Sequence, residues 1–93
     1  MDIDVFFPTP FEDIDDPTND NVDVCVTTAD GEAYTLVFIT PDNLRSLMEA
    51  NREDHISPLF KYIVVKRIDE DMIRRALDVI VRDRSLLAYY GKD

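Results

Sequence analysis

Residues 22–39 read VDVCVTTADGEAYTLVFI, and this stretch decides the fold. Both halves, 22–28 and 33–39, are rich in β-branched and aromatic residues, which favour strands. Asp30 and Gly31 lie between them, and glycine tolerates the positive φ that a tight hairpin turn requires. The stretch therefore predicts two antiparallel strands joined by a two-residue turn at Asp30-Gly31.

The turn also sets the pairing register, because a shift of one residue moves every side chain to the opposite face. With Asp30 and Gly31 as the turn, one face holds Val26 with Thr35, Val24 with Val37 and Val22 with Ile39. The other face then holds Cys25 with Leu36, Thr27 with Tyr34 and Asp23 with Phe38. If helices cover the first face, the second exposes an apolar patch drawn from Tyr34, Leu36, Phe38 and Cys25. A patch of this kind indicates a partner protein or a homodimer.

Two further strands and two helices are predicted outside the hairpin. Alternation predicts a strand over residues 2–7, and an apolar run predicts another over 60–67. Thr40 caps a helix that begins with Pro41, and its buried stripe is Leu44, Leu47 and Met48. Asp69 caps a second helix, whose inner face is Ile73, Ala76, Leu77, Ile80 and Val81. The 93 residues fit a single α+β domain, a mainly antiparallel sheet of about four strands with two helices packed on one face.

Charge is distributed unevenly along the chain. The net charge is −10, and eleven Asp or Glu residues precede the first basic residue, Arg45. An acidic surface repels phosphate groups, which argues against direct binding of nucleic acid or of anionic membranes. A basic protein is the natural partner, and the candidate residues to meet it are Glu12, Asp13, Asp15, Asp16, Asp20 and Asp23.

Catalytic and metal-binding chemistry finds little support in the sequence. His55 is the only histidine and Cys25 the only cysteine, so a zinc site of the Cys/His type is not expected, and Cys25 is expected to be a buried, reduced thiol. The acidic segment 12–16 together with Asp20 and Asp23 could recruit calcium, but it lacks the central glycine and terminal glutamate of the helix-loop-helix motif. We expect no enzyme activity and no cofactor.

The sequence also predicts the compartment of the protein. No apolar run approaches the roughly 20 residues that span a membrane, and the N-terminus lacks the basic start of a signal peptide, so a soluble cytoplasmic protein is expected.

Tyr89 and Tyr90 either anchor an interface or cover the end of the core.

Four motifs spread over nearly the whole chain resemble the bacterial immunity protein 8 family. They are Asp2-Ile3-Asp4 with Pro8, Asp16-Pro17, Ile39-Thr40-Pro41 with Leu44, and Tyr62-Ile63-Val64-Val65 followed by Arg67-Ile68-Asp69. The resemblance implies an intracellular antidote, encoded beside a polymorphic or contact-dependent growth inhibition toxin. It implies a cognate toxin domain as partner, and such toxins are often nucleases. The alternative is a small acidic adaptor or regulatory subunit without a toxin, and the neighbouring genes would separate the two.

Overall fold

The computed structural model describes residues 3–91, and within them the chain forms a four-stranded sheet and three α-helices. The strands are β1 (Ile3–Phe6), β2 (Asn21–Thr28), β3 (Ala33–Ile39) and β4 (Tyr62–Val64). The helices are α1 (Pro41–Asn51), α2 (Glu70–Val81) and α3 (Arg84–Tyr90), and a short 3-10 helix covers Phe11–Asp13. The α+β class is confirmed. Asp2, which the first predicted strand includes, lies outside the described residues.

The sheet is mixed rather than wholly antiparallel. Its order is β1-β2-β3-β4, the first three strands are antiparallel, and β4 runs parallel to β3. Parallel neighbours cannot be joined by a tight turn, so the chain returns through a long connection that contains α1. The fourth predicted strand, over 60–67, shortens to Tyr62–Val64.

The hairpin turn has three residues, so the predicted register is wrong by one. The amide of Thr28 donates to the carbonyl of Glu32 at 2.9 Å, and the amide of Gly31 donates to the carbonyl of Thr28 at 3.0 Å. Ala29, Asp30 and Gly31 therefore form the loop, with Gly31 at φ 87°, as in three-residue hairpins whose last loop residue is left-handed. The observed pairs are Val26 with Tyr34, Val24 with Leu36 and Val22 with Phe38.

This shift decides which face of β3 is buried. Leu36 and Phe38 lie beside the three valines of β2 and are fully buried. The predicted exposure of Leu36 and Phe38 is therefore wrong, and its cause is the additional loop residue.

The hydrophobic core lies between one face of the sheet and helices α2 and α3. Ile73, Leu77 and Ile80 of α2 and Leu87 of α3 pack against that face. Both predicted caps are present: Thr40 Oγ1 accepts from the amide of Asn43 at 3.3 Å, and Asp69 Oδ1 accepts from the amide of Met72 at 3.1 Å. The predicted stripe of α1, Leu44, Leu47 and Met48, is only half-buried and lies outside the core cluster. The two helices on the core face are thus α2 and α3.

Candidate protein-binding surface

The acidic loop, residues 8–20, joins β1 to β2 and has a fixed path. Phe11 and Ile14 are half-buried and pack against the core. The carbonyl of Pro17 accepts a hydrogen bond of 2.7 Å from the amide of Ile68, just before α2. Between these anchors the side chains of Glu12, Asp13, Asp15 and Asp16 are exposed. The loop therefore presents four carboxylates from an ordered backbone.

None of these four carboxylates takes part in an ion pair within residues 3–91. The ion pairs found within residues 3–91 are His55–Asp54, Arg67–Asp69, Arg74–Glu70 and Arg84–Asp30. None of these pairs includes an acidic residue of the loop or of β2. Hydrogen bonds from the hydroxyl and the amide of Thr18 hold the pKa of Asp16 below its usual value, so this carboxylate stays charged at neutral pH.

The remaining two predicted acidic residues lie in other settings. Asp20 is half-buried, and its backbone amide and carbonyl both bond the side chain of Thr40. Its carboxylate accepts from the amide of Asn21 at 2.7 Å, so it helps to join the loop to α1 and β2. Asp23 is exposed on β2, in register with Val37 and on the face away from the core. The six acidic residues are therefore spread over a loop, a junction and a strand.

The open face, the side of the sheet opposite the core, is built differently from the prediction. One row across it contains Phe6, Cys25 and Thr35, and the next contains Asp23, Val37 and Tyr62. Phe6 is 64% exposed, whereas Cys25, Thr35, Val37 and Tyr62 are half-buried. Cys25 is therefore less buried than predicted.

Tyr34 lies on the core face and is half-buried. Its hydroxyl donates to a carboxylate oxygen of Glu32 at 3.0 Å, and this bond raises the pKa of Tyr34 above its usual value. Of the two aromatic residues predicted on β3, Phe38 is thus enclosed, and Tyr34 is held beside the hairpin loop.

A small apolar groove opens where β4 begins. It has a volume of 190 Å³ and is lined by Thr35, Val37, Phe60, Lys61, Tyr62 and Tyr90. The rings of Phe60 and Tyr62 stack at 5.8 Å with an interplanar angle of 16°. A second groove of 160 Å³ lies against the same two rings and is also lined by Leu47, Met48 and Ile56 of the α1 region. The stacked pair therefore contributes to two adjacent grooves.

The groove is bordered by the C-terminal tyrosines. Tyr89 is 54% exposed, Tyr90 is half-buried against the core, and their rings meet edge to face at 4.9 Å. The ammonium of Lys61 lies 4.4 Å from the centre of the Tyr89 ring, a distance at which cation–π attraction operates. A Cβ atom on Gly91 would lie 2.7 Å from Cβ of Tyr34. Glycine thus lets the end of α3 pack closely on β3.

Sequence reasoning missed Phe6, Val37, Phe60 and Tyr62 as surface residues. The register error assigned Val37 to the buried face, and a strand predicted from residue 60 placed Phe60 inside the sheet. One local signal for Phe60 was available: Ser57-Pro58 begins a turn, closed by a 3.0 Å bond from the amide of Phe60 to the carbonyl of Ser57. Proline at the second position is typical of such turns.

No family model, curated protein or solved structure matches the chain. Within residues 3–91, no helix is long and apolar enough to cross a membrane. In the same part of the chain, no group of three or more His, Cys, Asp or Glu side chains is placed to hold a metal ion.

Proposed function

We propose that this chain is a cytoplasmic immunity protein that binds and neutralises a cognate toxin domain, a basic nuclease, and that it catalyses no reaction itself. The observation that carries the proposal is the acidic loop. Four exposed carboxylates stand on an anchored backbone, and the ion pairs of the described residues leave them uncompensated. The resemblance to the immunity protein 8 family agrees with this proposal.

The negative charge of the acidic loop favours a basic protein as the partner. A nuclease needs cationic side chains to hold the phosphates of its substrate, and those side chains attract an acidic protein. Complementary charge of this kind speeds the encounter of two proteins and fixes their relative orientation. An immunity protein seated over the cationic groove of the nuclease would exclude the nucleic acid from the active site or from the substrate surface.

The proposal is tested with the toxin domain encoded beside this gene. The two proteins are co-expressed with an affinity tag on the toxin alone, and nuclease activity is then measured with and without the full-length chain. We expect co-purification, loss of nuclease activity at a one-to-one ratio, and an association rate that falls as salt rises. A neighbouring toxin that stays active in the presence of excess chain would contradict the proposal and favour the adaptor alternative.

A further inference from the structure

We infer that the groove beside β4 receives an apolar side chain from a basic partner protein, and that the open face around it forms the centre of the interface. This inference rests on the proposed function, because it names the site at which the same partner docks. The acidic loop then lies at the edge of the interface, where it attracts the partner.

The groove has the size of a single amino-acid side chain. Its 190 Å³ falls below the roughly 300 Å³ at which pockets for cofactors and drug-sized ligands begin. An apolar cavity of about 150 Å³ is large enough to bind benzene. The groove is therefore suited to one leucine- or phenylalanine-sized anchor, and anchors that fill such pockets supply much of the binding energy of protein interfaces.

Hydrogen bonds within a turn support the wall of the groove. Ser57 accepts a bond from the amide of Leu59 through its hydroxyl and a bond from the amide of Phe60 through its carbonyl. Pro58 lies within this turn and restricts its backbone. Phe60, although 58% exposed, is thereby held in its stack on Tyr62. An ordered wall lowers the entropy cost of binding.

The charged side chains of the open face indicate which kind of protein binds in the groove. Among the strand residues that face away from the core, the charged side chains are Asp4 and Asp23, and both are exposed carboxylates. Lys61 borders the groove with its ammonium over the ring of Tyr89. A second copy of the chain would bring Asp4 and Asp23 towards like charges, on a chain whose net charge is already −10. A basic protein with an apolar residue among its cationic side chains would complement the carboxylates of Asp4 and Asp23 and would also fill the apolar groove.

The test compares two exposed apolar residues of similar exposure. Phe60 is 58% exposed at the groove and Val79 is 60% exposed on α2, so Phe60→Ala and Val79→Ala form a matched pair. Binding of each full-length variant to the purified adjacent-gene toxin domain is followed by biolayer interferometry. We expect Phe60→Ala to raise the dissociation rate at least tenfold and Val79→Ala to change it less than twofold. If the wild type binds but the two variants dissociate at equal rates, the inference about the groove is overturned and the proposed function stands.

The single cysteine supplies an independent readout. Cys25 lies on the open face in register with Phe6 and Thr35. We expect iodoacetamide to modify Cys25 at least fivefold more slowly in the complex than in the free chain. An unchanged rate would mean that the partner leaves this face uncovered, which also overturns the inference.

A wild-type chain that fails to bind the toxin would refute the proposed function alone. The groove is then tested in cells with benzoylphenylalanine placed at position 60 or at position 79. A crosslink from position 60 alone, to a basic protein whose purified form shows the same Phe60 dependence, would support the groove. Crosslinks from both positions alike, or from neither, would overturn it.

Discussion

Arg84 and Asp30 join the last helix to the hairpin loop, with the Nη2 atom of Arg84 3.0 Å from Oδ2 of Asp30. The hydroxyl of Thr28 donates to the other oxygen of the same carboxylate. The bond from Thr28 and the bond from Arg84 together lower the pKa of Asp30, and the pKa of Arg84 is raised in turn by Asp30. One exposed carboxylate thus connects two elements that are distant in sequence.

This contact predicts a pH dependence of stability. Because the folded protein holds the pKa of Asp30 below its unfolded value of about 3.9, the contribution is fully present above that value. It is lost as the pH falls through the lowered folded pKa. We expect Asp30→Asn to lower the melting temperature at neutral pH, and we expect this difference from the wild type to shrink as the pH falls through the lowered folded pKa of Asp30. Thermal unfolding followed by circular dichroism measures this, with Asp78→Asn on the exposed side of α2 as the control. Equal pH profiles for the two variants would show that the contact contributes nothing.

Gly31 provides a test of the three-residue loop. Its φ of 87° is a conformation that side chains with a branched Cβ avoid. We expect Gly31→Val to cost about 1–2 kcal/mol of unfolding free energy, and Gly31→Asn to cost less because asparagine tolerates positive φ. Urea titration measures both free energies, with Ala29→Val in the same loop as the control. If Gly31→Val lowers the unfolding free energy no more than Ala29→Val does, this loop geometry is contradicted.

Thr40 is fully buried and serves two elements at once. Its hydroxyl accepts from the amide of Asn43 at 3.3 Å and from the amide of Asp20 at 3.2 Å. Loss of an N-cap side chain costs about 0.5–2 kcal/mol, and the loss of the bonds to the amide and the carbonyl of Asp20 places Thr40→Ala towards the upper end of that range. Thr40→Ser keeps the hydroxyl and should recover most of the loss in a urea titration. Equal losses for serine and alanine would assign the effect to the methyl group.

The features that the sequence predicted well are those set by neighbouring residues. Thr40 and Asp69 were predicted as caps because a cap side chain bonds an amide three residues later, as both do here. The positive φ of Gly31 has the same local origin. The exposed carboxylates of residues 12–16 also follow from local composition, since charged side chains are rarely buried without partners.

The features that the sequence predicted poorly depend on pairing between distant segments. Two-residue and three-residue loops both suit Asp30-Gly31, yet they place opposite faces of β3 in the core. That single ambiguity assigned Phe38 to the surface and Val37 to the core. The parallel pairing of β4 with β3 likewise depends on where the chain returns after α1, which no local pattern encodes. The open face was therefore beyond prediction from the sequence, whereas the acidic loop was not.

The acidic loop is predicted to act on the rate of association with the proposed toxin partner. Glu12, Asp13, Asp15 and Asp16 are exposed and outside the ion pairs of the described residues, so changing all four to the corresponding amides removes negative field without breaking such a contact. We expect a slower association rate at low salt and a nearly unchanged dissociation rate, because exposed charges steer encounter more than they hold the complex.

The salt dependence and a matched control separate steering from other effects of the four substitutions. Since fields are screened over about 8 Å at physiological ionic strength, the difference from the wild type should shrink as salt rises. The control removes an equal number of exposed carboxylates elsewhere that also lie outside the ion pairs of the described residues, at Glu49, Glu53, Asp71 and Asp78. If both quadruple variants slow association equally in stopped-flow measurements, net charge rather than the loop steers the partner. If only the loop variant slows association, the loop faces the partner during encounter. The lifetime of the complex is then expected to depend on the groove at β4.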